Sequence, residues 1–204
     1  MAKLDWTKQG YKIINNFFTK KELEILQEYC FKQLESGAGA QYDEQSGTGA
    51  AAWYKDTMAT TFLSLKRPLV EKASGYALLE TYTYWRYYCF GSKLTKHTDR
   101  PACQISVTAN IKSYDEWPIV VEGDSINLKE GQAILYYGCL AKHWRPGIYK
   151  GDGMAQVFFH YVDANGPFYH HEQDKYLLAT GNTASENDEK IVEEMTKKFY
   201  EGRK

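Results

Sequence analysis

The sequence has no excess of charge of either sign. Its 25 Lys and Arg against 26 Asp and Glu leave a net charge of -1 over 204 residues. Nothing electrostatic therefore asks for nucleic acid or an anionic membrane surface as a partner. No stretch approaches the ~20 consecutive apolar residues that a membrane-spanning helix needs. Cysteine is scarce: Cys30, Cys89, Cys103 and Cys139 form no CxxC pair, and the chain opens without a leader-like apolar segment. Reduced thiols in a cytoplasmic protein are the expectation, ahead of a disulfide framework. Internal repeats and low-complexity segments are also missing. What is abundant is aromatic: 17 Tyr and five Trp, which favour strands and suit an aromatic-lined cavity. The length fits one domain that can bury a full core.

Tyr11 to Phe18 reads as a short strand. Thr19-Lys20-Lys21-Glu22 then has the form of a capping box. Leu23, Ile25, Leu26, Cys30 and Leu34 follow at helical spacing, predicting a helix from about Lys20 to Glu35. Ser36 to Thr48, rich in Gly, Ala, Ser and Gln, reads as a loop long enough to serve function. A second helix is expected from about Thr57 to Ser74, bent or split by Pro68. From Tyr76 the character changes to short strands: Leu78–Cys89, Leu94–Asp99, Gln104–Ile111, Pro118–Glu122, Gly131–Tyr137, Ala141–Arg145 and Met154–Val162. Gly-containing turns separate them, which argues for an antiparallel sandwich or barrel. With helices confined to the N-terminal third, a mainly β, jelly-roll architecture carrying packed helices is the expectation. Thr180 to Glu189 is polar and loop-like, and Lys190 to Tyr200 is a short amphipathic helix.

His97-Thr98-Asp99 carries the chemistry. Residues i and i+2 of a strand share a face, so this pair would present an imidazole and a carboxylate together. One more imidazole from a neighbouring strand, with His143 at a workable distance, completes a two-His-one-carboxylate set. Such a set holds non-haem Fe(II) on one face and leaves positions open for cosubstrate and O2. Three features strengthen the pair. Gly91 marks a tight turn between the Tyr88 strand and the ligand strand. Lys129 to Tyr137 is a turn feeding an apolar strand, with His143 six residues on. Gln156 to Asp163 is a terminal apolar strand.

From Tyr84 to Asp163 the chain resembles the catalytic core of the 2-oxoglutarate/Fe(II) dioxygenases. It is most similar to the prolyl 4-hydroxylase-like branch, in its small bacterial and phage-type members. Tyr88, Gly91 and His97-Thr98-Asp99 match that branch's Tyr, Gly and HxD pattern. Leu135 to His143 matches its penultimate strand pair, and the N-terminal strand and capped helix match its entry. The resemblance implies a double-stranded β-helix with a core at about 76–165, N-terminal helical support over 1–75 and a C-terminal tail with a short helix over 166–204. It implies His97, Asp99 and His143 as iron ligands. His143 is preferred to His160 because Trp144-Arg145-Pro146 resembles the segment after the ligand; His160 is then a hydrogen-bonded interior histidine. His170 and His171 are expected to be exposed. Tyr88 is implied as a contact of the far carboxylate of 2-oxoglutarate.

The chain departs from the branch in one respect. The Lys or Arg expected on the last strand to pair with that carboxylate is replaced by Asp152 and Gly153, with Met154 next in register. A buried dicarboxylate without a cation is costly, so another arginine should substitute: Arg145 first, then Arg86, then Arg100. Ser106, Thr108 and Asn110 share a face that could line the pocket. The implied oxidoreductase activity is hydroxylation of a C–H bond with Fe(II), 2-oxoglutarate and O2, and ascorbate as reductant. A prolyl residue of a peptide or protein is the implied substrate. The alternatives are a free amino acid or small metabolite, or a non-catalytic, cupin-like metal-binding or sensing protein.

Overall fold

The computed structural model describes residues 10–42, 46–47, 50–174 and 185–203. In chain order these form β1 (Tyr11–Ile14), α1 (Lys20–Ser36), β2 (Gln41–Tyr42), β3 (Ala51–Tyr54), α2 (Thr57–Ser74), β4 (Leu78–Tyr88) and β5 (Leu94–His97). There follow β6 (Ile105–Ser113), β7 (Ile119–Val121), β8 (Asp124–Ile126), β9 (Ala133–Tyr136), β10 (His143–Arg145), β11 (Met154–Asp163) and α3 (Glu186–Glu201). The strands make a seven-stranded sheet in the order β1-β9-β6-β11-β4-β3-β2 and a four-stranded sheet in the order β5-β10-β7-β8. All pairings are antiparallel. This is the expected double-stranded β-helix.

Strand alternation decides what each face of the larger sheet does. On β11, Phe159 turns outward to pack on Phe17 and Phe18 at 5.9 and 6.3 Å between ring centroids. Gln156, Phe158 and His160 turn inward between the sheets. On β4, Thr83 and Trp85 face outward, and Thr83 Oγ1 meets Thr60 Oγ1 of α2 at 3.1 Å. Tyr82, Tyr84, Arg86 and Tyr88 face inward. The helices α1 and α2 thus cover the outer face of the large sheet; Tyr161 donates to the Leu63 carbonyl of α2 at 2.8 Å. Fully burying a Phe such as Phe159 contributes roughly 1.5–3 kcal/mol. Trp53 of β3 stacks on its register partner Trp85 of β4 at 3.9 Å, which fastens the edge hairpin.

The capping box on α1 is present: Thr19 N–H donates to Glu22 Oε2 at 2.7 Å and Glu22 N–H to Thr19 Oγ1 at 3.3 Å. Pro68 neither bends α2 into two elements nor ends it. Both Pro68 and Ser64, whose carbonyl has no N–H to accept four residues on, lie on the exposed side of the helix. Part of the segment read as a loop from Ser36 to Thr48 is helix end and the short strand β2; residues 43–45 and 48 lie outside the described residues. β3 and β8 are further strands beyond those expected. The C-terminal helix starts at Glu186, earlier than expected, while residues 180–184 of the polar segment lie outside the described residues. No helix among the described residues is long and apolar enough to cross a membrane.

Candidate metal centre and pocket

The smaller sheet brings the two histidines together. β5 and β10 pair so that His97 and His143 are direct register partners, with ring centroids 4.2 Å apart. His97 Nδ1 lies 2.7 Å from the Thr95 carbonyl oxygen and His143 Nδ1 lies 2.9 Å from that of Ala141. A carbonyl only accepts, so each Nδ1 carries the proton and donates. That leaves each Nε2 facing Asp99 Oδ1, 3.5 Å away.

Asp99 is not placed by strand alternation, contrary to the sequence expectation. β5 ends at His97, because Asp99 N–H donates to the Gly138 carbonyl at 2.8 Å instead of extending the ladder. Ser106 Oγ lies 3.3 Å from Asp99 Oδ2. Gly138 is required here: a Cβ at this position would overlap Ser106 Oγ and the Cys103 carbonyl and come within 2.7 Å of Asp99 Oδ2. Gly91, which turns the chain from β4 to β5, has φ +89°, a conformation open to glycine.

Two Nε2 atoms and a carboxylate oxygen thus converge, all within 4.8 Å of one another. Their lone pairs would repel, and either a proton on Nε2 or a metal cation relieves that repulsion. Burial works against a charge on His97, but Asp99 outweighs it and raises the pKa. Burial would also raise the Asp99 pKa, yet the two imidazoles hold its carboxyl far below the usual range. The N, N, O donor set with fixed tautomers fits a divalent first-row metal.

Beside the triad lies a cavity of about 170 Å³. Arg145 and Arg86 both reach it, as does Tyr88, which is fully buried. Arg145 donates through Nη1 to the Trp117 carbonyl and through Nη2 to Gln156 Oε1 at 3.1 Å. Gln156 is itself fixed by donating to Asn110 Oδ1 at 2.8 Å. Among the described residues no carboxylate lies within 4.0 Å of Arg145. Burial pushes its pKa down, yet arginine keeps its charge in proteins. The site therefore holds a desolvated cation without a counter-ion. Arg86 Nη1 donates to Tyr88 OH at 3.4 Å and Nη2 to Tyr84 OH at 3.3 Å. Arg100 is engaged elsewhere, paired with Asp174 and lying 4.5 Å over the Tyr82 ring at the pocket's edge. Met154, where a cation was expected, packs with Tyr88, Trp117 and Tyr149 in a small apolar cluster.

Several pocket residues were not anticipated. Tyr136 of β9 lies 4.8 Å from the His143 ring and meets Thr108 Oγ1 at 3.1 Å. β9 is buried on both faces, so its sequence shows no alternation that would single out Tyr136. Thr108 lines the pocket, while Asn110 sits farther in with Gln156. His160 is the interior histidine expected: its Nδ1 is 3.0 Å from Ser106 Oγ and its ring 4.5 Å from Tyr82. Burial pushes its pKa down to about 4. His171, by contrast, is not exposed; it is buried against Asp188 of α3.

No protein-family model matches the sequence, and no curated protein does. Solved structures do match the fold. A prolyl-4-hydroxylase from Pseudomonas putida superposes with a TM-score of 0.63 at 12% identity, covering 78% of this chain and 95% of that one. The non-haem α-ketoglutarate-dependent epimerase SnoN from nogalamycin biosynthesis gives 0.68 at 10% identity, covering 87% and 88%. A Trichoplax adhaerens prolyl hydroxylase bound to a hypoxia-inducible-factor peptide gives 0.62 at 13%, covering 84% and 90%. The chain shares its fold with prolyl hydroxylases and other 2-oxoglutarate/Fe(II) oxygenases.

Proposed function

We propose that the protein is an Fe(II)- and 2-oxoglutarate-dependent dioxygenase, with the whole chain serving as one oxygenase domain. The observation that carries this is the convergence of His97 Nε2, His143 Nε2 and Asp99 Oδ1 beside the uncompensated guanidinium of Arg145. His97, Asp99 and His143 are the proposed metal ligands. A ferrous ion held there supplies the redox chemistry that couples oxidative decarboxylation of 2-oxoglutarate by O2 to hydroxylation of a C–H bond. Arg145 and the Tyr88 hydroxyl bind the far carboxylate of the cosubstrate, with Arg86 orienting that hydroxyl. Gln156 and the Trp117 carbonyl keep the guanidinium aimed. Leu94 and Ile119 line the pocket with apolar surface and exclude water there, which strengthens the ion pair.

The substrate class we propose is a prolyl residue of a peptide or protein. The sequence resemblance to the prolyl 4-hydroxylase-like branch supports it, as does an aromatic wall of Tyr54, Tyr82, Tyr84 and Phe158 suited to a pyrrolidine ring. A small-molecule substrate is the second reading, favoured by the likeness in fold to SnoN, whose TM-score of 0.68 exceeds the 0.63 of the prolyl-4-hydroxylase. The four free thiols, three of them buried, suit the cytoplasm as the compartment. The test is succinate release with Fe(II), 2-oxoglutarate, O2 and ascorbate, with and without proline-rich peptides, followed by mass spectrometry for an added oxygen. No succinate above background under any of these conditions overturns the oxygenase reading in favour of a non-catalytic metal-binding protein. Succinate without peptide oxidation directs the search to small molecules.

A further inference from the structure

The sequence contains five histidines. His97, His143 and His160 lie at the pocket, and the other two form a second cluster at the start of α3. The single-turn helix Tyr169–His171 follows β11 and presents His170 and His171 together, their rings 4.3 Å apart. Both face Asp188: His170 Nε2 is 3.1 Å from Oδ1 and His171 Nε2 is 3.4 Å from Oδ2.

Asp188 is 1% exposed and His171 6%. Its Oδ2 is already occupied, accepting Ser185 N–H at 2.9 Å and the Ser185 hydroxyl at 3.0 Å. His170 Nε2 also lies 3.4 Å from that oxygen, whereas Asp188 Oδ1 and His171 Nε2 are shielded from water and, beyond these ion-pair contacts, make no hydrogen bond. Burying two such atoms without a hydrogen bond is unfavourable. The three donor atoms lie within 4.8 Å of one another, a spacing that one cation can draw together.

We propose that His170, His171 and Asp188 form a second divalent-metal site, distinct from the pocket triad, that fastens the start of α3 to the end of the β core. Two imidazoles and one carboxylate suit zinc, with water in the fourth position because His170 is partly exposed. The other end of α3 is already held by Phe199, buried in the core, and by Tyr200 OH donating to Glu122 at 2.9 Å. The metal thus completes a two-point attachment.

The site does not depend on the oxygenase reading and is tested with the pocket triad disabled. In the full-length H97A/H143A variant, zinc titration followed by gel filtration and metal analysis should show one retained zinc per chain and a rise in Tm. Cobalt substitution should give a visible ligand-field spectrum. Adding H171Q or H170Q should abolish both while the circular dichroism is unchanged. D188N is secondary, because it also disturbs the helix cap. A folded H97A/H143A protein that retains no zinc overturns the proposal, as does retention that survives H170Q/H171Q; either result leaves the cluster a metal-free ion pair.

Discussion

At Gly138 a carbonyl accepts the Asp99 N–H, and the absent side chain leaves room for Ser106 Oγ and the Asp99 carboxylate. Gly138→Ala should therefore push Asp99 off its position at an overpacking cost of about 1–3 kcal/mol. Metal affinity should fall about 10–100-fold, as when ligand support is lost. Calorimetric titration with cobalt checks this, and wild-type affinity in a folded variant would sink it. Arg145→Ala should raise the 2-oxoglutarate dissociation constant a hundredfold or more, since truncating one partner of a buried charged pair costs about 2–5 kcal/mol. Arg86→Ala should act more weakly, through the Tyr88 hydroxyl. Equal effects in equilibrium binding would reassign the role between them. The meeting of His97 and His143 was legible in the sequence because residue type and strand spacing suffice to nominate neighbours. That Arg145 reaches the pocket was legible from its place two residues after His143. The position of Asp99 was not, because it rests on a hydrogen bond to a glycine 39 residues downstream in the chain.

Elements with strong periodicity or paired caps were readable, and short ones were not. α1 matches its expected span because Thr19 and Glu22 cap it and its apolar residues recur at helical spacing. β2 has two residues and β8 three, too few for alternation to register. The start of α3 was hidden by polarity: Glu186, Asp188 and Glu189 read as loop, yet acids in a first turn favour the helix dipole. Ser185 and Asp188 form a capping box there, and Ser185→Ala should destabilise α3 by about 1 kcal/mol, measured as faster amide exchange in its first turns. Pro68 offers the opposite test. It occupies a helix interior and denies the Ser64 carbonyl its donor, so Pro68→Ala should restore a backbone bond. A stability gain of roughly 1 kcal/mol is expected, the interior penalty of proline being offset in part by greater unfolded-chain entropy. A lower Tm would show that the proline shapes α2 in a way the packing requires.

For the molecule as a whole, His160 links burial to pH. Burial holds its folded pKa at about 4, below the unfolded value of about 6.5. Between these values the unfolded chain binds more protons, so stability falls as pH drops from about 6.5 to about 4 and is unaffected above that window. The full loss is on the order of 3 kcal/mol. Urea melts of metal-free protein across this range should show a steeper acid limb than His160→Asn, and parallel limbs would refute the assignment. The facing of His97 and His143 across β5 and β10 has a mechanical side as well. β5 is the outer strand of the four-stranded sheet and meets β10 over only a few residues. An ion held by both strands would act as a rivet that fixes their alignment. Chelation should free β5, with amide exchange rising there while β4 and β11 stay protected. The loosened border would then offer unpaired backbone to other copies of the chain, so the stripped protein should grow turbid with concentration and clear when metal is restored.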